Sequence, residues 1–152
     1  MIAADTLLVP LMNAFFWFDD GLQSYLQARG WDQVTRSQSM VMANVVVGVK
    51  KPSDIARNLG LSRQSVHTTI MQMVKLGMVE LRDDEEDGRA WVVLVSEKGA
   101  AMGRDADDAV AALTAELRQR IGSRNVDNLI KAFREDWGDA PTTWPRALPK
   151  GA

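Results

Sequence analysis

The segment from Pro52 to Ile70 constrains the fold of this 152-residue chain more than any other stretch. It predicts two short helices joined by a tight turn, because an apolar stripe at helical spacing is interrupted at Gly60 and then resumes. Pro52 suits a first helical turn, where its missing N–H is not needed, and Gly60 suits a helix end with positive φ. Ser62 can cap the second helix through its hydroxyl group. The segment therefore has the form of a helix-turn-helix.

The outward face of the second predicted helix carries side chains of the kind that read base edges in a DNA major groove. The candidates for contact with base edges are Arg63, Gln64, His67 and Thr68. The candidates for phosphate contacts or helix capping are Ser62, Ser65, Thr69 and Lys75. The alternative is an ordinary helical hairpin within a core, whose outward face would more often be rich in Glu and Lys.

The stretch after this motif predicts a β-hairpin and a further helix. Residues 76–82 leave the second helix at a glycine and then alternate in polarity, and residues 90–95 form a second β-rich run. An acidic turn, residues 83–88, separates the two runs. Ser96 can cap the helix that follows. Helix, turn, helix and hairpin in this order predict a winged helix.

At these positions the chain resembles the MarR family of bacterial transcriptional regulators. The matching residues are Thr35 and Gln38 before the motif, residues 54–66 within it, the exit 76–80, Asp87 and Arg89 in the wing, and residues 94–99. The resemblance implies a mainly α fold with a small β-hairpin wing, in which N- and C-terminal helices form a homodimer interface. It also implies binding to double-stranded DNA at a pseudo-palindromic operator, usually as a repressor that a small molecule releases.

The wing departs from the family pattern in its charge. Family wings usually carry two or more basic residues, and the resemblance assigns minor-groove contact to Arg89. Here five consecutive acidic residues, 83–87, precede Gly88 and Arg89, and such a tip would repel phosphates. Two interpretations stay open: either Asp87 orients Arg89 while the other acids point away from DNA, or the wing contributes little to binding.

The net charge of −2 hides an uneven distribution. Residues 35–82 hold seven basic and two acidic residues, whereas residues 83–108 hold three basic and nine acidic residues. Positive charge is therefore concentrated around the helix-turn-helix, where a DNA-binding protein needs it to displace counterions from phosphates. Lys50 and Lys51, just before the motif, could also meet phosphates.

Composition argues against several classes of function. The chain has no cysteine and one histidine, and it lacks a glycine-rich phosphate loop or ligand pairs at metal-binding spacing. We therefore expect no enzyme activity, no metal and no cofactor. No apolar run reaches the length of a membrane span, and no signal peptide is evident. These patterns predict a cytoplasmic protein without a membrane partner.

Two long segments with apolar stripes flank the winged region. Residues 5–29 and 97–121 have helical spacing of apolar side chains, and residues 126–137 mark a shorter terminal helix. We predict a helical dimerisation region from residues 1–34 and 97–137. The DNA-binding domain would then occupy residues 35–96, and a flexible proline-rich tail would occupy residues 138–152.

The effector site is predicted from what is usual in the MarR family and from the high content of aromatic residues in and after the first helix. A carboxylate or phenol would need a cation or a hydrogen-bond donor above an aromatic wall. The candidate contacts are Phe16, Trp17, Tyr25, Trp31, Arg36, Gln38 and Met40. The alternative is that they belong to the core or the surface, which is the more frequent role of residues of these types. A small aromatic acid or phenolic compound is the expected effector.

A second class of function fits the same fold. A winged helix can serve as a protein-interaction module without sequence-specific DNA binding, and the acidic turn would then be its docking surface. The salt dependence of DNA binding separates these hypotheses, because phosphate contacts give a steep slope.

Overall fold

The computed structural model describes residues 6–143, which form six helices and one two-stranded antiparallel sheet. The elements are α1 (Leu8–Ala28), α2 (Arg36–Val46), α3 (Pro52–Leu59), α4 (Arg63–Lys75), β1 (Val79–Asp83), β2 (Trp91–Val95), α5 (Glu97–Ile121) and α6 (Ser123–Arg134). The predicted fold class, mainly α with a β-hairpin wing, is confirmed. Across this described range, every helix is too short or too polar to cross a membrane.

The turn between α3 and α4 has the predicted geometry. α3 ends before Gly60, whose φ of 63° and ψ of 28° place it in the left-handed region that favours glycine. The N–H of Leu61 donates to the Ala56 carbonyl at 3.0 Å and closes the helix end. α4 follows Ser62, whose Oγ accepts the N–H of Ser65 at 3.1 Å. α3 and α4 therefore form a helix-turn-helix with its predicted cap.

The wing is a short hairpin fixed to the loop before α3. Its two strands pair antiparallel, with Val79 opposite Val95 at the base. The N–H of Val93 donates to the Lys50 carbonyl at 2.9 Å, and this bond attaches β2 to the loop. The position of the hairpin thus depends on residues that precede the helix-turn-helix in the chain.

The core of the winged region lies between α2, α3, α4 and the hairpin. Its most deeply buried side chains are Val41, Ile55, Val66, Ile70, Met73, Met78 and Val93. Full burial of such a side chain stabilises the fold by roughly 1.5–3 kcal/mol. α3 is only eight residues long, so packing of its apolar stripe, and not helix propensity alone, keeps it folded.

The exit from α4 is joined to the start of α5. The Ser96 hydroxyl donates to the carbonyl of Gly77 and accepts the N–H of Gly99, so it caps α5 as predicted. A side chain at Gly99 would overlap the carbonyl oxygen of Met78, and this close approach explains the glycine. The segment that follows α4 is therefore held directly against the beginning of α5.

Backbone contacts divide the chain into two compact units, one up to Leu113 and one from Thr114. The first unit contains the winged region, α1 and most of α5. The second contains the last turns of α5 and all of α6, where Arg118 pairs with Asp127 at 2.7 Å.

The ends of the chain differ from the predicted boundaries. The predicted helix at residues 5–29 is Leu8–Ala28, and the last helix ends at Arg134. The expectation that this helix reaches Trp137 is wrong, because the backbone becomes extended at Glu135, where ψ is 147°. The indole N–H of Trp137 donates to the Ala132 carbonyl at 2.9 Å. Residues 138–143 are exposed and form neither helix nor strand. The rest of the predicted flexible tail, 144–152, lies outside the described residues.

Candidate nucleic-acid interface

α4 has an exposed polar side opposite its buried stripe. Thr69 is half-buried, whereas the other predicted contact residues of the motif are exposed, and these are Ser62, Arg63, Gln64, Ser65, His67, Thr68 and Lys75. The helix has 13 residues, which corresponds to a length of about 20 Å. A major groove about 12 Å wide admits a helix of this kind. The structure thus brings these residues to one accessible surface, and their contacts with DNA stay a prediction.

Three hydroxyl groups of this surface already have partners within the motif. Ser62 Oγ lies 2.8 Å from Ser65 Oγ and accepts the Ser65 N–H, so Ser62 acts as the helix cap. Thr68 Oγ1 donates to the Gln64 carbonyl at 3.0 Å. A hydroxyl group has one proton to donate, so Thr68 in this rotamer is available to DNA as an acceptor.

His67 contacts the wing as well as facing solvent. Its ring lies 5.6 Å from that of Trp91, centroid to centroid, in an edge-on arrangement. Trp91 is the first residue of β2 and lies opposite Asp83. His67 therefore joins α4 to the hairpin. Trp91 is not among the residues predicted from the sequence, although an aromatic residue at the start of a β-rich run is a signal for such packing.

Ion pairing distinguishes among the seven basic residues of the winged region. Those with acidic partners are Arg36, Lys51, Arg57 and Arg82. The other three, Lys50, Arg63 and Lys75, pair with no acidic side chain within residues 6–143. Arg89 of the wing also pairs with no acidic side chain within residues 6–143. The positive charge available to phosphates is therefore concentrated on α4 and the segments beside it.

Lys51 holds the acidic turn in place. Its Nζ lies 2.9 Å from Oδ2 of Asp84, a carboxylate that is only 7% exposed. The hydrogen bond from Lys51 holds the pKa of Asp84 below its ordinary value of 3.8. The same bond raises the pKa of Lys51 above 10.5. The charge of Lys51 is therefore paired with a buried acid, and its contact with phosphates stays a prediction.

Asp87 shapes the turn that carries Arg89. Its Oδ1 accepts the backbone N–H of Arg89 at 3.2 Å, and its carbonyl accepts the N–H of Ala90 at 2.8 Å. The carboxylate therefore fixes the main chain at Arg89 and leaves the guanidinium exposed. The other acids of the turn outside Asp84 are exposed as well, and these are Asp83, Glu85 and Glu86. Contact of Arg89 with the minor groove stays a prediction.

Two of the predicted effector contacts form an ion-paired cluster between α1 and α2. Arg36 pairs with Asp19 at 2.9 Å and with Asp20 at 2.8 Å. Its guanidinium carbon also lies 4.3 Å from the centroid of the Phe16 ring. Trp17, which neighbours Phe16 in α1, packs edge-on against Phe18. Arg36 and Phe16 thus contact each other, and the cation is matched by two carboxylates.

Two further candidates, Gln38 and Met40, lie on α2. Gln38 is 4% exposed and completes a capping box: its Oε1 accepts the Thr35 N–H at 3.0 Å, and its own N–H donates to Thr35 Oγ1. Its polar side chain therefore supports the start of α2. Met40 is 37% exposed on the same helix.

The last two candidates, Tyr25 and Trp31, share one carboxylate of α5. The indole N–H of Trp31 donates to Asp105 at 2.7 Å, and Arg29 pairs with the other oxygen of Asp105 at 2.9 Å. Arg29 also donates to the Tyr25 hydroxyl at 2.6 Å. The aromatic residues predicted to face an effector are thus distributed over separate clusters, where they bind to other parts of the chain.

A cavity of about 550 Å³ lies within the first unit. Its walls come from α1, α2, α5, the end of α4 and the end of β2, and its lining includes Met42, Met73, Met78 and Met102. None of the seven predicted effector contacts is part of this lining. The lining of the cavity differs from the residues predicted from the sequence, because the prediction rests on aromatic residues and the walls are mainly aliphatic.

Known proteins have the same fold and the same sequence features. Residues 32–90 match the sequence model of the MarR family. No curated protein matches the chain in sequence. Among solved structures, wild-type apo MarR from E. coli has 20% identity and a TM-score of 0.68, over 88% of this chain and 97% of that one.

Two other solved structures have the same fold. A MarR-family transcriptional regulator from Rhodococcus sp. RHA1 has 15% identity and a TM-score of 0.67, over 88% of this chain and 94% of that one. Transcriptional regulator Tm0710 from Thermotoga maritima has 15% identity and a TM-score of 0.60, over 84% and 89% of the two chains. The resemblance predicted from the sequence is confirmed: residues 32–90 match the MarR-family model, and the chain has the fold of the solved MarR-family regulators.

Proposed function

We propose that this protein is a homodimeric transcriptional regulator that binds a pseudo-palindromic DNA operator through α4. The observation that carries the proposal is the exposed side of α4, where Arg63 and Lys75 have no acidic partner within residues 6–143. Guanidinium and amide groups at Arg63 and Gln64 match guanine and adenine edges respectively. The match of residues 32–90 to the MarR family, whose members are non-enzymatic DNA-binding regulators, supports the expectation that the chain is not an enzyme. A DNA-binding regulator would act in the cytoplasm.

The exposed apolar residues of the terminal helices support a homodimer. In α1, Leu8 is 63% exposed and Phe15 is 44% exposed, and in α6, Phe133 is 53% exposed. Large apolar side chains in such numbers favour burial against a partner. We infer that residues 1–34 and 97–137 form the dimerisation region. Two α4 helices related by a two-fold axis would reach successive major grooves, with half-sites about 10 base pairs apart.

The direction of regulation and the effector complete the proposal. We infer that the dimer represses a nearby operon and releases DNA when a small molecule binds. A small aromatic or phenolic compound is the effector class expected from the sequence. Several of its predicted contacts, such as Arg36 and Trp31, are bonded to other residues of the protein.

Binding to the chain's own upstream intergenic DNA tests the regulator function. Fluorescence anisotropy at two salt concentrations should give tight, salt-sensitive binding that prefers the native duplex to a scrambled one. Arg63→Ala should weaken binding by roughly 1–3 kcal/mol if Arg63 reads a base. Arg57→Ala is the matched control, because Arg57 lies outside α4 and pairs with Asp54 at 3.1 Å. Equal effects of the two substitutions would contradict base reading by Arg63.

The acidic wing supports one competing function. The exposed acids beside Asp84 would suit a protein-interaction module whose docking surface carries positive charge. Such a module would bind the native and scrambled duplexes weakly and equally at both salt concentrations. That result would exclude the regulator and leave the wing as the next surface to test.

A further inference from the structure

One apolar side chain interrupts the polar face of α4. Of the five apolar side chains in Arg63–Lys75, three are buried in the core and Val74 is half-buried. The fifth, Met71, is 42% exposed. Single exposed apolar residues are common on protein surfaces, so the role of Met71 depends on where it lies along the helix.

Met71 continues the row of predicted base contacts. Gln64, His67, Thr68 and Met71 are all exposed and have the spacing i, i+3, i+4 and i+7, which places side chains on one side of a helix. Recognition helices read base edges with residues at this spacing. Gln64 and Met71 are about 10 Å apart along the helix axis, so a major groove about 12 Å wide can accommodate both. Met71 therefore belongs to the surface proposed to face DNA.

This part of the surface has little capacity to form hydrogen bonds with bases. Thr68, three residues before Met71, donates its hydroxyl proton to the Gln64 carbonyl at 3.0 Å, so it presents an acceptor and a methyl group to DNA. The thioether of Met71 is only a weak acceptor. α4 also contains no Asp or Glu, the residues that accept hydrogen bonds from cytosine N4. Thr68 and Met71 together therefore suit a base edge that carries an apolar group.

Thymine is the base whose major-groove edge has such a group. Its C5-methyl group projects into the groove, where apolar side chains contact it. The unbranched side chain of methionine adapts readily to the position of an apolar partner. Cytosine at the same place would lose water from its amino group without gaining an acceptor, which is unfavourable. Met71 would thus favour thymine and disfavour cytosine.

We propose that Met71 is a specificity-determining residue that packs against the C5-methyl group of a thymine in each half-site of the operator. The inference rests on the DNA-binding function proposed above and deepens it, because it names a base feature that the polar residues of α4 do not read. The two-fold arrangement of the dimer places one such thymine in each half-site.

Removal of the methyl group from the DNA tests the contact. The chain's upstream intergenic duplex, made with deoxyuridine in place of thymidine, keeps its base pairs and hydrogen-bonding groups and lacks only the methyl groups. Fluorescence anisotropy should show that wild-type protein binds the uracil duplex roughly threefold or more weakly than the thymine duplex, because burial of a methyl group against an apolar side chain is favourable. The ratio of these two affinities measures the reading of methyl groups.

Substitutions at position 71 assign the effect to one side chain. Met71→Ala should bring the affinity ratio to less than about half of the wild-type value, since the side chain and the methyl group act as a coupled pair. Met71→Leu keeps an apolar side chain of similar size and should retain most of the ratio. Alanine and leucine are strong helix formers, so both variants should fold at this exposed position. An affinity ratio that is equal in wild type and Met71→Ala would overturn the proposal.

Gln72→Ala is the matched control on the same helix. Gln72 is exposed but lies about 100° further around α4 than Met71, away from the middle of the row of base contacts. The variant should keep the wild-type affinity ratio. A loss of the ratio in Gln72→Ala as large as that in Met71→Ala would overturn the assignment to Met71.

The two duplexes also separate failure of this inference from failure of the regulator function. Wild-type protein that prefers the native to the scrambled duplex, but binds its thymine and uracil forms equally, would overturn the inference alone. Protein that does not distinguish the native from the scrambled duplex would overturn the regulator function and the inference with it.

Discussion

Asp84 and Lys51 show how one ion pair sets the conformation of the acidic turn. A buried carboxylate is costly unless it is paired and hydrogen-bonded. Asp84 meets both conditions, since Lys51 Nζ lies 2.9 Å from Oδ2 and the N–H of Glu86 donates to Oδ1 at 3.0 Å. One of the five acids of the turn is thereby removed from the surface that would face DNA.

The pKa shift of Asp84 predicts a loss of stability in acid. Because its pKa is lower in the folded protein than the ordinary 3.8, the ionised carboxylate stabilises the fold above that value. This contribution disappears as the pH falls through the lower folded value. Urea unfolding should therefore give a higher midpoint for wild type than for Asp84→Asn at pH 7, and the difference should shrink below about pH 4.

A second substitution makes this measurement specific. Glu85→Gln changes an exposed neighbour in the same turn and should leave the midpoint nearly unchanged at pH 7. The raised pKa of Lys51 predicts a matching loss above pH 10.5, as the ammonium group deprotonates. A gap between wild type and Asp84→Asn that stays constant from pH 7 to pH 3 would show that the ion pair has no such role.

At the scale of elements, α4 depends on its cap as well as on its buried stripe. The Ser62 hydroxyl satisfies one of the free N–H groups of the first turn. Ser62→Ala should lower the free energy of unfolding by about 1 kcal/mol, measured by chemical denaturation. Ser62→Asn keeps a capping side chain and should restore most of the loss. A stable Ser62→Ala variant with weak DNA binding would instead identify Ser62 as a phosphate contact.

We expect the exposed acidic residues of the wing to weaken DNA binding by repelling phosphates. Each exposed acid near a phosphate costs up to about 1 kcal/mol when the charges are 4 Å apart in water, and salt screens this repulsion. The triple variant Asp83→Asn, Glu85→Gln and Glu86→Gln should therefore bind the operator more tightly, mostly at low salt. Equal affinities at low salt would mean that the wing tip stays away from the DNA.

The elements could be predicted from the sequence because their signals are local. Gly60, Ser62 and the apolar stripe of α4 lie within a few residues of each other, and the structure confirms all three. The partners of the predicted effector contacts were not predictable in this way. Asp105 lies in α5, far along the chain from Trp31 and Arg29, and its position beside them depends on tertiary packing. Aromatic content alone therefore does not predict which side chains these residues contact.

For the whole molecule, the exposed apolar residues of the terminal helices set the conditions for assembly. Phe133 is 53% exposed and Leu129 is 44% exposed in α6. Phe133→Asp should convert the dimer to a monomer, because a charge replaces a ring that would be buried between two copies. Sedimentation velocity measures this change. Operator affinity should fall as well, since one α4 reads only one half-site.

An exposed polar position of the same helix provides the control for assembly. Asn128→Asp introduces a charge at an exposed polar residue of α6 and should leave a dimer that binds DNA. A monomer that keeps full operator affinity would contradict the two-fold arrangement of half-sites. A dimer in both variants would place the interface away from α6.

The attachment of the hairpin to the loop before α3 has a consequence for protein engineering. The wing cannot be transplanted as a contiguous cassette, because its strand is bonded to the Lys50 carbonyl and its turn to the Lys51 ammonium group. A chimera that receives residues 79–95 from this chain needs the 50–51 dipeptide of the same parent. Libraries that shuffle wings between regulators to redesign operator choice should therefore cross over before residue 50 and not at the hairpin itself.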